Sequence, residues 1–114
     1  MAQTTFHRAA SAAATSIGVY VGSADSITLQ CSPDANQGFD GTIAVDAAFV
    51  SNLNNIIFPI VTFDIPPWFE VARLTFSVHT GVLAFTLKLS KNWIWIRARV
   101  VTANVGAINV HMAY

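Results

Sequence analysis

The chain has 114 residues, enough for one domain with a real core. Only 11% of them are charged, 54% are hydrophobic and the formal net charge is zero, against about 25% charged residues in typical soluble domains. This balance argues against bulk nucleic-acid binding, which needs a basic footprint, and predicts a surface partly covered by partners, since a chain without net charge tends to associate.

Residues 1–15 are rich in Ala, Ser and Thr and lack the continuous apolar core of a secretory signal, so Sec export is not expected. They read as an N-terminal arm that orders on a neighbouring subunit. A short helix over 8–14, plain disorder or a local cap fits the same composition. The rest of the chain, 16–114, reads as one domain.

From Ser16 onward the dominant period is two, the period of strands. Ile17, Val19 and Val21 alternate with small or polar residues, and Ile27, Leu29 and Cys31 do so against Thr28 and Gln30. Cys31 is the single cysteine, so no internal disulfide forms, and its place in that row makes it a core residue. A loop is predicted over 32–41, where Pro33, Asn36, Gly38 and Gly41 are turn formers. Asp34, Asn36 and Asp40 partly echo a calcium loop, but the downstream glutamate is missing and the spacing is off; an inter-strand loop is the simpler reading.

Ile43, Val45, Ala47 and Phe49 form the next inward row, and Val61, Phe63 and Ile65 follow a polar break over 51–55. The stretch 47–63 contains Asn52, Asn54, Asn55 and Pro59, so no membrane helix is expected. Pro66-Pro67 ends a strand, because proline donates nothing to the ladder. Trp68 and Phe69 then either cap one end of the fold or serve as contact anchors at a loop tip. Ala72, Leu74, Phe76 and Val78 face inward against Arg73, Thr75 and Ser77, and Leu83, Phe85, Leu87 and Leu89 follow the Thr80-Gly81 turn.

The final stretch, 92–114, reads as a hairpin turning near Asn104 and Gly106. Ile94, Ile96, Ala98 and Val100 make a core row. Trp93, Trp95, Arg97 and Arg99 make the opposite one, beside Ala107, Asn109, His111 and Ala113 if the hairpin closes. Trp and Arg are enriched in interface hot spots, so this row, with Trp68 and Phe69, is the candidate interface. Cover by a loop or by the N-terminal arm is the competing reading, and Trp68, Trp93 and Trp95 would also suit a glycan platform.

The whole pattern predicts an all-β fold, an antiparallel β-sandwich of about eight strands, Ig-like or jelly-roll-like, with an extended N-terminal arm. The catalytic inventory is thin. His7, His79 and His111 are scattered outside any metal-ligand spacing, Glu70 is the only glutamate, and no nucleophile elbow or phosphate loop occurs. No enzymatic activity, cofactor or metal is expected.

The succession Ser26-Ile-Thr-Leu-Gln, Phe39-Asp-Gly-Thr-Ile-Ala-Val, Gly81-Val-Leu, Asn92-Trp-Ile-Trp-Ile-Arg-Ala-Arg-Val and Gly106-Ala-Ile-Asn-Val resembles small β-sandwich virion proteins of tailed bacteriophages, the capsid decoration or cement type among them. The resemblance covers 26–114. It departs where such proteins often carry Asp-Gly-x-x-Trp, since Thr-Ile-Ala-Val follows Asp40-Gly41 here. It implies a non-enzymatic structural protein on the virion, at the capsid surface, assembled in the host cytoplasm. The implied partners are the major capsid protein and further copies of the chain, as a trimer or dimer. A tail, neck or baseplate component is the alternative within that class, and a carbohydrate-binding module the alternative outside it. An outer-membrane barrel fits the terminal strand but not the absent signal peptide.

Overall fold

A computed structural model of the chain describes residues 2–22, 24–34, 38–48, 68–89 and 95–114. The described residues form nine strands and no helix: β1 (Gln3–Ala10), β2 (Ala14–Thr15), β3 (Val19–Tyr20), β4 (Ser26–Pro33), β5 (Phe39–Ala48), β6 (Phe69–His79), β7 (Leu83–Lys88), β8 (Trp95–Val105) and β9 (Ile108–Ala113). The predicted strand around Val61, Phe63 and Ile65 lies outside them, as does Trp93.

Alternation along each strand separates a buried row from a solvent row, and two sheets close on the buried rows. Ile27, Leu29 and Cys31 of β4 are fully buried, as are Ile43, Val45 and Ala47 of β5, Ile96, Ala98 and Val100 of β8, and Ile108, Val110 and Met112 of β9. Burial pushes the Cys31 thiol up to about 11, which suits a packing residue and not a reactive one.

The order in one sheet, here sheet A, is β1-β9-β4-β7; in the other, sheet B, it is β2-β8-β5-β6, with β3 also paired to β8. All pairs are antiparallel and nested: β1 with β9, β2 with β8, β4 with β7, β5 with β6. Nested pairing across a four-stranded and a five-stranded sheet is the jelly-roll arrangement, which decides between the two sandwich types left open by the sequence.

Nesting overturns the expected final hairpin. β8 and β9 lie in opposite sheets, so Ala107, Asn109, His111 and Ala113 do not flank the Trp/Arg row. Gly106 makes the crossing instead, at φ +77°, and a Cβ there would collide with the carbonyl oxygen of Gly38, itself at φ +77°. The β4–β5 and β8–β9 crossings thus pack against each other.

Residues 3–10 and 14–15 of the expected N-terminal arm are built into the two sheets. Within it β1 is the edge strand beside β9 and β2 pairs with β8, with no helix over 8–14. β1 is irregular, with register shifts on both sides of His7. These allow Phe6 and His7 to be buried in succession, and His7 Nε2–H reaches across to donate to the Ala98 carbonyl of β8 at 2.9 Å.

Two further residues depart from the expected alternation. Val78, expected inward, is 56% exposed at φ +50°, where an irregularity lets β6 advance three residues while β5 advances two. Ile17, also expected inward, is 76% exposed, because strand pairing in β3 begins only at Val19.

Candidate functional site

The solvent face of sheet B is a trough lined by small residues. The outward positions of β5 are Ala44, Asp46 and Ala48, all buried although they point away from the core. Longer side chains from the flanking strands stand on either side of them. β8 sets Trp95 beside Ala48, Arg97 beside Asp46 and Arg99 beside Ala44. On the other side β6 sets Glu70 beside Asp46 and Arg73 beside Ala44.

Three guanidinium groups and two carboxylates form one chain of ion pairs here. Arg97 Nε–H donates to Asp46 Oδ2 at 2.9 Å. Arg99 grips the same carboxylate with two bonds, Nε–H to Oδ2 at 2.6 Å and Nη2–H to Oδ1 at 3.0 Å. Arg99 Nη2–H also reaches Glu70 Oε1 at 3.1 Å. Arg73 closes the chain with Nε–H to Glu70 Oε2 at 2.9 Å and Nη2–H to Oε1 at 2.8 Å. Fork-on-carboxylate geometry of this kind is the strong, directional form of ion pair.

The Glu70–Arg73 pair depends on an irregularity. Residues three apart on a regular strand face opposite ways. A register shift between Val45 and Asp46 inserts one extra β6 residue, which returns Glu70 and Arg73 to the same face.

Burial grades the network. The Asp46 side chain is only 3% exposed, against 48% for Arg73. Hydrogen bonding from Arg73, partly opposed by desolvation and reinforced by the charges of Arg73 and Arg99, holds the Glu70 carboxyl below the usual range. Arg99 is raised, first by its hydrogen bonds to Asp46.

Aromatic rings flank the ion pairs. The Arg97 guanidinium lies 4.5 Å from the Trp68 ring centroid, a cation–π contact. Gly18 leaves room for that ring, since a Cβ there would come within 2.8 Å of Trp68 Cη2. Trp95 meets Tyr20 edge to face at 5.3 Å between centroids. Trp95 Nε1 is buried without a hydrogen-bond partner among the described residues, so Trp95 contributes its ring and not its donor.

Of the residues singled out from sequence, Trp68, Trp95, Arg97 and Arg99 come together on this face. Phe69 does not join them; it sits opposite Ala47 and packs against the core. The row is also less bare than the sequence implied. Residues 14–20 line its β8 edge, and Arg97 and Arg99 are committed to Asp46. The groups that reach solvent are Tyr20 and Arg73, with Glu70 between Arg73 and Arg99.

Sequence reasoning missed Asp46, Glu70, Arg73 and Tyr20. Asp46 had a signal: it is the lone charge in the apolar run Ile43-Ala-Val-Asp-Ala-Ala, and a charge so placed needs a partner. Just after β4, Asp34 Oδ1 accepts from Asn109 at 3.4 Å, and Asp40, expected in the loop but part of β5, accepts through Oδ1 from Asn104 at 3.2 Å. Asn36 lies outside the described residues.

No protein-family model matches the chain, and no curated protein sequence does. Among solved structures, the fold is similar to that of the SPBc2 prophage-derived protein YomS, with a TM-score of 0.63 over 97% of this chain and 88% of that one. The two sequences are 13% identical, so the likeness is one of fold.

Proposed function

We propose that this chain is a bacteriophage virion structural protein, and that it decorates the capsid by laying the outer face of sheet B on the major capsid protein. The observation that carries the reading is the concentration of charge. Three of the chain's six Lys and Arg residues lie in one ion-pair array, beside Trp68, Trp95 and Tyr20. A rigid charged and aromatic patch on an otherwise charge-poor molecule has the make-up of a docking hot spot. The fold likeness to a prophage-derived protein supports a phage setting, and jelly rolls recur in viral capsids, both as analogy of fold. Several copies docking together would raise avidity without strong single contacts.

The inner members of the array hold the sheet together, so the outer members make the better probes. Purified chain is sedimented with undecorated capsids and, separately, with isolated tails. Wild-type chain pellets with capsids, and Arg73→Glu combined with Tyr20→Ala stays in the supernatant while folded. Full occupancy by that variant removes this face from the interface. Pelleting with tails alone transfers the reading to a tail, neck or baseplate component.

A further inference from the structure

The opposite face of the sandwich carries a second, chemically different feature. On the outside of sheet A an open groove of about 510 Å3 runs across β1, β9 and β4, within the range of roughly 300–1,000 Å3 usual for small-ligand sites. Strand register explains it. One rung places Gln3, Ala113 and Thr28 side by side, and the next places Thr5, His111 and Gln30. Ala113 is the small residue between longer ones, so the surface dips there.

The polar groups at the groove are amides, hydroxyls and one imidazole, and none of its lining residues is Asp, Glu, Lys or Arg. Thr5 Oγ1 and His111 Nδ1 share a hydrogen bond of 3.0 Å, which fixes the ring and leaves Nε2 as its remaining polar atom. Thr28 Oγ1 is held by Thr86 Oγ1 at 3.1 Å. The side-chain amides of Gln3 and Gln30 have no hydrogen-bond partner among the described residues. Amide, hydroxyl and imidazole groups each offer donors and acceptors to one ligand.

We infer that this groove binds a neutral, hydroxyl-rich ligand, a saccharide. The lack of lining carboxylates, lysines and arginines matches an uncharged ligand: a phosphate or a carboxylate finds no guanidinium or ammonium, and a metal ion finds only one imidazole nitrogen. β9 and β4 are interior strands with both backbone edges used in the sheet, so recognition rests on side chains. An extended peptide, which docks by adding to a free strand edge, finds no ladder at the groove centre. Alternating donors and acceptors over an alanine floor suit an array of ring hydroxyls. The site is separate from the Trp/Arg face, on the other sheet, and does not depend on capsid docking.

The test is a titration of 15N-labelled full chain, followed by amide spectra, with maltotriose, cellotriose and chitotriose as probes. Expected are saturable shifts on β1, β4 and β9 with at least one probe. Affinity should fall about 10-fold in Gln30→Ala, the loss of one good hydrogen bond. Gln30 is exposed, so that variant stays folded, which the spectrum itself reports. Arg73→Glu leaves saccharide binding unchanged, and Gln30→Ala leaves capsid sedimentation unchanged. Each of three results overturns the inference: no saturable shift with any probe, shifts that survive Gln30→Ala, or equal shifts from an uncharged blocked Gly-Ser-Thr-Gly peptide.

Discussion

Asp46 is the residue on which the sheet B face turns. Its carboxylate is enclosed and satisfied by two arginines from β8. Removing one member of a buried ion pair leaves the others desolvated and unpaired, at a cost of about 3–5 kcal/mol. Asp46→Ala is therefore expected to lower the unfolding free energy by about that amount in urea titration, while Arg73→Ala, at the exposed and solvent-screened end, changes it far less. Equal effects would mean that the network is not graded by burial. Arg97 and Arg99 were legible in the sequence by type and spacing. Their shared partner was not, because it lies 51 and 53 residues away.

Glu70 gives the array an acid limb. Its carboxyl is lowered in the folded chain, chiefly by its hydrogen bonds to Arg73. A lowered carboxylate stabilises the fold fully above its unfolded value, ordinarily about 4.3, and the contribution is lost as pH falls through the lower folded value. Stability should thus hold from neutral pH to the ordinary glutamate range and decline below it. Glu70→Gln should flatten part of that decline in thermal melts taken across the acid range. A Glu70→Gln profile that superimposes on wild type would contradict the assignment.

At the scale of elements, the alternation of Ile27, Leu29 and Cys31, or of Ile43, Val45 and Ala47, predicted which residues face the core. It could not predict which strand lies beside which, because a period of two is the same whichever neighbour pairs. The last two strands show the difference. A glycine turn between two alternating runs reads as a hairpin, yet Gly106 carries the chain from one sheet to the other. The same limit hid the role of residues 3–10. Their composition resembles a loose arm, and only long-range pairing with β9, together with the His7 bond to Ala98, makes them a strand.

The crossing gives the element-scale prediction. Gly106→Ala forces a side chain into left-handed backbone, which costs about 1–2 kcal/mol, and drives its Cβ into the Gly38 carbonyl oxygen. A measurably larger loss than the backbone cost is expected in urea titration. Gly81→Ala, where a Cβ would approach no nearer than 3.6 Å to His79 Nε2, makes the control. Similar small losses in both variants would mean that the two crossings do not pack as described.

At the scale of the whole molecule, nested pairing gives the sandwich two unlike outer faces. Sheet B presents arginine, carboxylate and aromatic groups over a floor of alanines and Asp46. Sheet A presents glutamine, threonine and histidine around a groove lined by no carboxylate, lysine or arginine. The low overall charge was legible from composition alone. Its partition between faces was not, because Asp46, Glu70, Arg73, Arg97 and Arg99 come from three separate strands that only the fold makes neighbours.

The central claim is that the sheet B face is the docking surface on the virion. Electron cryomicroscopy of capsids saturated with the chain measures this most directly. The account predicts that β5, β6 and β8 face the lattice, with Arg73 and Tyr20 at the contact and the sheet A groove turned to solvent. Density that places sheet A on the lattice, with the Arg73 and Tyr20 side chains pointing outward, would contradict it.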